Sequence, residues 1–183
     1  MKLVIIEGTD RTGKDTLIES LIEQYPHSEV VHWGYPIGDT NDEKTEWQKA
    51  SFLDYMSRWK IAQDSLIDGL VIWNRSHIGE YVYGTMYRHS FPDTWIPELE
   101  KEFLKGNNVI LILLQGDPEF IIAQDDGQSY STQLKDKKIE IQKFEEAFNN
   151  SNILNKIKIK INEGDSYVKQ TDISAIVCCA INL

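Results

Sequence analysis

Nine residues near the N-terminus, Gly8–Thr16, constrain the fold of this chain more than any other segment. They read GTDRTGKDT, follow the apolar run Leu3–Ile6 and lead into Lys14–Gln24, whose apolar residues have helical spacing. Two glycines separated by four residues and followed by lysine are typical of a loop whose backbone N–H groups surround a phosphate. The N-terminus of the following helix adds partial positive charge. The segment therefore predicts a phosphate-binding loop between a strand and a helix.

The whole loop is expected to bind the phosphates of ATP, with Lys14 reaching the β- and γ-phosphates. Its candidate residues are Gly8, Thr9, Asp10, Arg11, Thr12, Gly13, Lys14, Asp15 and Thr16. The pattern normally continues with a serine or threonine that ligates Mg²⁺, but here the lysine is followed by Asp15. Either Thr16 supplies the metal ligand, or Asp15 does so directly or through a water. Asp15 also suits a helix N-terminus, so a capping role is a third interpretation.

Short β-branched apolar runs alternate with longer amphipathic segments along the rest of the chain. The predicted strands are Leu3–Ile6, Glu29–Trp33, Leu70–Trp73, Val109–Leu114 and Lys156–Ile161. The predicted helices are Lys14–Gln24, Glu43–Ile67, Ile78–Arg88, Pro97–Lys105, Asp136–Asn149 and Ile173–Ile181. This alternation predicts an α/β fold of the P-loop NTPase type, in which helices cover both faces of a five-stranded parallel sheet.

The length of 183 residues suits one domain, and no repeat or low-complexity linker divides the chain. We therefore expect a single domain over residues 1–183. Two polar loops that contain glycine, Gly34–Asp42 and Gly116–Gln133, join regular elements and are candidates for moving parts. The second, about residues 116–133, is the predicted short lid over a bound nucleotide.

Charge and hydropathy narrow the class of protein. Nineteen basic and 29 acidic residues give a formal charge of −10, which does not suit a protein that binds nucleic acid by releasing counterions. Free nucleotides are therefore better candidate ligands than duplex DNA, although the net charge does not exclude a local basic groove. The longest apolar runs, Val109–Leu114 and Ile176–Ile181, are far shorter than the roughly 20 residues of a membrane helix. Because no signal-peptide pattern is present either, we expect a cytoplasmic protein without membrane association.

Three segments resemble thymidylate kinase and its relatives among phage deoxynucleotide kinases. They are EGTDRTGKDT at Glu7–Thr16, SRWKIAQ at Ser57–Gln63 and NRSHIGEYVYG at Asn74–Gly84. The resemblance spans nearly the whole chain. The chain departs from the family at Asn74, where members usually have aspartate. It also departs at Asp15: the loop ends in GKDT at Gly13–Thr16, an ending similar to that of certain phage deoxynucleoside monophosphate kinases. The resemblance is consistent with a viral origin, and the cytoplasm would then be that of the host.

The resemblance implies roles for several side chains in binding the acceptor. Asp10 would accept a hydrogen bond from the sugar 3′-hydroxyl, and Arg75, beside Asn74, would hold the acceptor phosphate. Arg58 would reach the base or that phosphate. Tyr83 falls where the family packs an aromatic ring near the 2′ carbon of the sugar, which would exclude ribose.

Other features of the family transfer less directly. Its base-stacking phenylalanine has no direct counterpart, because Asp54 occupies that position by spacing; Phe52 and Tyr55 are the available substitutes. The segment Asn162–Asp165 resembles the adenine-contacting loop. Members often pair through helices, so the resemblance also implies a possible homodimer.

Phosphoryl transfer depends on positioning and on neutralising charge, so cations near the γ-phosphate are the candidate catalytic groups. These are Lys14, Arg11 and Arg75, acting with Mg²⁺. Residues Gly106–Leu134 contain no lysine or arginine, so the lid cannot supply a catalytic cation. Arg11 therefore resembles the arginine of those thymidylate kinases that carry it in the phosphate loop.

The expected reaction is transfer from ATP to a deoxynucleoside monophosphate, with dTMP or a related pyrimidine as the acceptor. A rival is a kinase that acts on a hydroxyl, either of a free deoxynucleoside or of a hydroxymethylated pyrimidine in phage DNA. A second rival is a nucleotide-binding switch without catalysis. The intact Lys14, Arg11 and Arg75 argue against the switch, whereas the departures at Asp15 and Asn74 leave some room for it.

Overall fold

Five parallel strands form the centre of the molecule, in the order β2-β3-β1-β4-β5. The structure is a computed structural model that describes residues 1–64, 69–127 and 129–182. The strands are β1 (Lys2–Glu7), β2 (Glu29–His32), β3 (Leu70–Asn74), β4 (Val109–Gln115) and β5 (Asn155–Lys160). Each strand pairs with its neighbours in parallel. The predicted α/β fold with a five-stranded parallel sheet is confirmed.

Helices cover both faces of the sheet and enclose two apolar layers. Alternate residues of β1 face opposite sides, so Leu3 and Ile5 join one layer and Val4 and Ile6 join the other. The helices are α1 (Lys14–Gln24), α2 (Asn41–Ala62), α3 (His77–Gly79), α4 (Ile96–Phe103), α5 (Pro118–Ala123), α6 (Leu134–Asn150) and α7 (Gln170–Asn182). Within the described ranges, none of them is both long and apolar enough to cross a membrane.

The long helix α2 starts and ends earlier than the predicted Glu43–Ile67. Thr40 sets its start through a capping box: the Thr40 hydroxyl accepts a hydrogen bond from the Glu43 N–H at 3.2 Å, and the Glu43 carboxylate accepts one from the Thr40 N–H at 3.0 Å. The helix ends at Ala62. The predicted end at Ile67 lies outside the described residues.

The predicted helix Ile78–Arg88 is replaced by two different helical segments. The single turn α3 runs directly into a π-helix over Glu80–Arg88. A 3₁₀ turn at Pro92–Thr94 follows and leads into α4. Such π-helical segments are rare and often lie at functional sites, which directs attention to the side chains of this one.

The predicted lid is not wholly a loop. The helix α5 occupies its first part, because Asp117 stands at the N-cap and Pro118 at the first helical position, which proline favours. Residues 124–127 and 129–133 have no regular structure, and Gln128 lies outside the described residues. A second unpredicted element is a two-stranded hairpin of β6 (Asn162–Glu163) and β7 (Ser166–Tyr167).

The order of the strands locates the ligand crevice. β1 lies between β3 and β4, so the connection after β1 leads to β2 on one side of it, whereas the connection after β3 leads to β4 on the other side. In open α/β sheets, ligands bind beyond the carboxyl ends of the strands at such a point. Here the loop after β1 and the end of β3 meet, because Ile6 pairs with Asn74.

Candidate active site

One cavity of about 1060 Å³ opens at this edge of the sheet. It brings together most of the side chains that the sequence singles out. Those that line it are Asp10, Arg11, Thr12, Gly13, Lys14, Asp15, Thr16, Asn74, Arg75 and Tyr83. Gly8 and Thr9 contribute to the same loop through their backbone rather than to the cavity wall.

The loop after β1 has a backbone that requires glycine at two positions. Gly8 has a φ of +145° and Gly13 a φ of +77°. A Cβ atom on Gly8 would lie only 2.3 Å from the carbonyl oxygen of Leu114, so no other residue fits there. Gly13 is the N-cap of α1, and the first N–H groups of the helix have no intrahelical acceptor. The loop and helix end therefore form an anion site.

Lys14 lies folded within this loop. Its ammonium donates hydrogen bonds to the carbonyl oxygens of Thr9 at 2.6 Å and Gly8 at 3.0 Å, and contacts the hydroxyl of Thr12 at 3.4 Å. Burial, with repulsion from Arg75 as the next cause, lowers the pKa of Lys14 to about 7. A bound triphosphate would supply negative charge beside the Lys14 ammonium and so stabilise its charged form.

Asp10 and Arg75 form an ion pair across the cavity. Burial opposes ionisation of Asp10, but the charges of Arg75 and Lys14 outweigh it, so the pKa of Asp10 lies below its usual value. The Arg75 guanidinium also lies 5.9 Å from the centre of the Tyr83 ring, and its Nη1 is 3.5 Å from the Tyr83 hydroxyl. The backbone of Arg75 is left-handed, with a φ of +67°, which is strained for arginine and is typical of functional sites.

Asp15 and Asn74, which both depart from the family pattern, are in direct contact. The Asn74 amide Nδ2 donates a hydrogen bond to Oδ1 of Asp15 at 2.6 Å and lies 3.0 Å from Nδ1 of His32. The Asn74 Oδ1 atom is buried and has no hydrogen-bond partner in the described part of the chain. His32 was missed from the sequence, because its partner is 42 residues away and lies on a neighbouring strand.

Arg11 is held by the lid. Its guanidinium forms an ion pair with Asp126, and its carbonyl oxygen accepts a hydrogen bond from the Tyr167 hydroxyl at 3.0 Å. The lid, which contains no lysine or arginine, thus supplies the acidic partner of Arg11. Arg11 adopts a left-handed φ of +64°, so the loop turns sharply at the residue expected to act on the γ-phosphate.

Tyrosines gathered from three parts of the chain form a stack beside Arg75. Tyr83 stacks on Tyr130 of the lid with ring centres 5.3 Å apart, and Tyr130 stacks on Tyr87 at 4.8 Å. Tyr35, from the other predicted moving loop, meets the edge of Tyr130 at 6.2 Å. Burial, followed by the negative charge of Glu140, raises the pKa of Tyr83 well above its usual value. Tyr83 therefore stays a neutral wall of the cavity.

Another part of the cavity wall contains polar groups that the sequence did not indicate. Glu80 and Arg88 form a buried ion pair on the π-helix, and the Ser90 hydroxyl donates a hydrogen bond to Glu80 at 3.0 Å. Gln48 and Phe52 of α2 complete this wall. The sequence offered no signal for Arg88, because a glutamate and an arginine eight positions apart are not neighbours on a regular helix.

Arg58 is not part of the site. It lies outside the cavity lining, its side chain is 71% exposed, and it pairs with Asp54 on its own helix at 2.9 Å. The buried face of α2 contains Gln48, Phe52 and Met56. Since each residue turns a helix by about 100°, Arg58 lies roughly opposite Met56, and the role that the resemblance implied for it does not fit.

The region near the predicted adenine loop is also rearranged. Asn162–Asp165 belongs to the β6–β7 hairpin rather than lining the cavity. Tyr167, Val168, Lys169 and Gln170 line it instead, just before and at the start of α7. The hairpin turns the chain back toward the phosphate loop, where the Tyr167 hydroxyl contacts Arg11. The residues that line the cavity therefore come after the predicted segment Asn162–Asp165.

The side chains around Asp15 suit a hard cation that is shared with bound phosphates. Asp15 offers a carboxylate, Thr16 a hydroxyl, and Asn74 the unpartnered Oδ1. Oxygen ligands of this kind, with one or two carboxylates alongside phosphates, are those that Mg²⁺ takes. Within the described residues no cluster of three or more histidine, cysteine and acidic side chains is placed to hold a metal by itself. The arrangement thus fits an ion that arrives with its nucleotide.

No protein-family model and no curated protein matches this chain. Solved structures do match its fold. The YorR protein from Bacillus subtilis, in complex with phosphorylated GDP, has a TM-score of 0.72 at 16% identity, and the match covers 99% of this chain and 96% of that one. Thymidylate kinase from Candida albicans has a TM-score of 0.67 at 16% identity, covering 99% and 91%.

Deoxyadenosine kinase from M. mycoides, with bound dATP, has a TM-score of 0.57 at 12% identity and covers 100% of both chains. Identities this low establish the fold alone. The chain therefore has the P-loop fold of nucleotide and nucleoside kinases.

Proposed function

We propose that this chain is an ATP-dependent kinase that phosphorylates a deoxynucleoside monophosphate, with dTMP or a related pyrimidine nucleotide as the acceptor. The observation that carries the proposal is that one cavity is lined by both the phosphate loop and the Asp10–Arg75 pair. The first binds the donor triphosphate, and the second holds a phosphate and a sugar hydroxyl. The fold shared with nucleotide and nucleoside kinases supports this assignment.

Three cations act on the transferring group. Lys14 contacts the β- and γ-phosphates, Arg11 leaves Asp126 to reach the γ-phosphate, and Arg75 holds the phosphate of the acceptor in line with it. Asp15 and Thr16 would hold the Mg²⁺ that accompanies ATP, and this ion would neutralise charge on the phosphates. The acceptor phosphate is the nucleophile and needs no base, because it is ionised at neutral pH, so catalysis is positioning and charge stabilisation.

The position of Arg75 argues for a phosphate acceptor over a hydroxyl acceptor. A kinase that acts on a hydroxyl gains from a general base near that hydroxyl. Asp10, a carboxylate that lines the cavity, is engaged by Arg75. Glu7 is fully buried, and burial raises its pKa. An arginine held in the cavity suits a second phosphate group.

An ADP-release assay tests the proposal. The acceptors are dTMP, dUMP, dCMP and dGMP, with thymidine, 5-hydroxymethyl-deoxyuridine and a DNA duplex containing hydroxymethylated pyrimidine as the alternatives. We expect acceptor-dependent ADP release with a deoxynucleoside monophosphate that Lys14→Ala abolishes. Turnover with only the free nucleosides or the DNA would favour a hydroxyl kinase. ATP binding without transfer to any acceptor would favour the switch.

A further inference from the structure

Glu7 is a fully buried carboxylate to which the proposed mechanism gives no role. It is the last residue of β1 and directly precedes Gly8 of the phosphate loop. Burial raises the pKa of Glu7, whereas the hydrogen bond from Ser76 and the charge of Arg75 oppose that rise. A buried carboxylate is costly to the fold unless hydrogen bonds and neighbouring charges compensate it. The contacts of Glu7 therefore indicate what it does.

Glu7 binds the turn that follows β3. Its Oε1 atom accepts hydrogen bonds from the Ser76 hydroxyl at 2.7 Å and from the Gly79 N–H at 3.2 Å. Ser76 is also the N-cap of α3, where its hydroxyl accepts a hydrogen bond from the Ile78 N–H at 3.4 Å. One carboxylate oxygen therefore fixes both ends of the segment over residues 76–79.

Arg75 directly precedes this segment and has a strained backbone. Its φ of +67° is left-handed, a conformation that persists in an arginine only where the surroundings fix it. The Arg75 N–H donates a hydrogen bond to the carbonyl oxygen of Ile6 at 3.0 Å. Two consecutive residues of β1, Ile6 and Glu7, thus bind the chain at Arg75 and immediately after it. The end of β1 therefore fixes the conformation of Arg75.

The left-handed conformation determines where the Arg75 side chain lies. In this conformation the guanidinium pairs with Asp10 of the phosphate loop and lies 5.9 Å from the centre of the Tyr83 ring. Because the direction of a side chain follows the conformation of its backbone, a relaxed φ would move the guanidinium away from these partners. Its place in the cavity thus depends on the contacts that hold the turn.

We propose that Glu7 is a positioning residue that holds Arg75 in place for the phosphate of the acceptor. This inference rests on the proposed function and adds a residue to it. Glu7 connects the two halves of the site, since it is bonded to Gly8 of the donor loop and accepts hydrogen bonds from the turn after Arg75. Being fully buried, it acts through Arg75 and not by contact with a substrate. Placement of this kind contributes to the rate by aligning the reacting groups.

Calorimetric titrations with dTMP and with ATP distinguish positioning from a general structural role. Glu7→Leu removes the accepting oxygen, and we expect it to weaken dTMP binding at least about tenfold. The Kd for ATP should change little, whereas a general disturbance at Glu7 would weaken ATP binding first, because Gly8 is its neighbour. Glu7→Gln keeps an accepting oxygen in a side chain of the same shape. It should bind dTMP nearly as tightly as wild type.

Ser76→Ala removes one of the two hydrogen bonds to Glu7 and keeps the proposal testable if Glu7→Leu does not fold. It should weaken dTMP binding and leave ATP binding unchanged. Ser151→Ala is the matched control, because the Ser151 hydroxyl also donates to a buried glutamate, Glu100, at 2.7 Å and accepts from a backbone N–H, that of Ile153, at 3.2 Å. This control should lose a similar amount of thermal stability and keep the wild-type affinity for dTMP.

A double-mutant cycle with Arg75→Met shows whether Glu7 acts through Arg75. If it does, Glu7→Leu and Ser76→Ala weaken dTMP binding in the wild-type background but not further in Arg75→Met. The proposal would be overturned by losses that add in the two backgrounds, by unchanged dTMP affinity in the folded variants, or by a Glu7→Gln protein as impaired as Glu7→Leu. In each of these cases phosphorylation of dTMP by wild type would leave the proposed function standing. If wild type neither binds nor phosphorylates a monophosphate, the proposed function fails together with this inference.

Discussion

Asn74 donates a hydrogen bond to Asp15 across 2.6 Å, although the two residues are 59 positions apart. They are two of the positions at which the chain departs from the thymidylate kinase pattern, in which a hydroxyl follows the loop lysine and an aspartate ends the third strand. Relative to that pattern, one carboxylate is gained at Asp15 and one is lost at Asn74. The contact places both changes beside the phosphate loop, where Asp15 offers a carboxylate and Asn74 an amide.

We predict that Asp15→Thr and Asn74→Asp each impair Mg²⁺-dependent turnover and that the double variant recovers a substantial part of it. Mg²⁺ takes one or two carboxylates alongside phosphates. The first variant leaves none at this position, and the second places two next to an anionic triphosphate. Steady-state kinetics over a Mg²⁺ titration for all four proteins measures kcat/KM and the Mg²⁺ concentration at half-activity.

The Mg²⁺ dependence of the double-mutant cycle separates this model from helix capping. Asn74 and Asp15 are in contact, so their substitutions are expected to couple even without an ion. A coupling that changes with the Mg²⁺ concentration would support a shared ion. A coupling that is the same at every Mg²⁺ concentration would mean that Asp15 only binds Asn74 and stabilises the N-terminus of α1. Thermal melting without nucleotide measures the stability that each variant loses independently of the ion.

Proton uptake should accompany ATP binding through Lys14. Burial and then Arg75 lower its pKa to about 7, so at pH 8 the free protein holds Lys14 mostly neutral. Bound phosphates stabilise the charged form and raise this pKa, which makes affinity for ATP greatest below pH 7 and weaker as the pH rises above it. Calorimetry at pH 8 in two buffers of different ionisation enthalpy measures the uptake. It should disappear in Lys14→Met and persist in Lys135→Met, which changes an exposed lysine.

The sequence predicts the phosphate half of the site well because its determinants are local. The glycines, Lys14 and the adjacent helix lie within one short segment, so their spacing alone specifies the loop. Asp10 and Arg75 lie on different segments, three residues after β1 and directly after β3, and neighbouring parallel strands bring such residues together. The resemblance to thymidylate kinase indicated both residues, and the predicted strand before Arg75 supported its place in the crevice.

The part of the cavity that Glu80 and Arg88 line could not be predicted in the same way. Arg88 reaches the cavity only because the predicted helix adopts π geometry around Gly84, and no periodic pattern signals that change. The position of Arg58 outside the cavity, in contrast, could have been predicted from the sequence. The apolar positions Phe52 and Met56 define the buried face of α2, and Arg58 is roughly 200° around the helix from Met56.

Tyr83 is predicted to select the sugar by its ring rather than by its hydroxyl. The ring lies against Arg75 and is stacked on Tyr130, so it is a fixed wall that leaves a ribose 2′-hydroxyl without space or a partner. Wild type and Tyr83→Phe should therefore both prefer dUMP to UMP, and Tyr83→Ala should lose most of that preference. The ratio of kcat/KM for the two acceptors is the measurement, and equal values in wild type would contradict the assignment.

Arg11 is predicted to contribute to the rate and Asp126 to restrain it. Arginines in comparable roles contribute about 10³–10⁵ in rate, so Arg11→Ala should lower kcat by orders of magnitude with little change in the KM of the acceptor. A loss confined to KM would mean that Arg11 only binds. The variant should keep its melting temperature, because the Arg11 and Asp126 side chains are 36% and 40% exposed and exposed ion pairs contribute little stability.

Because Arg11 is paired with Asp126 of the lid, the pair must break before Arg11 can contact the γ-phosphate. Asp126→Asn removes this competition and one negative charge near the triphosphate, so the KM for ATP should fall while kcat is retained. Asp125→Asn is the matched control: it removes the same charge from the neighbouring residue, whose carboxylate accepts a hydrogen bond from the Gly127 N–H at 2.6 Å. If both variants lower the KM for ATP equally, the effect is general electrostatics and the ion pair has no specific role. If only Asp126→Asn lowers the KM for ATP, and if Asp126→Asn no longer lowers it in the Arg11→Ala background, the Arg11–Asp126 ion pair is the cause of the restraint.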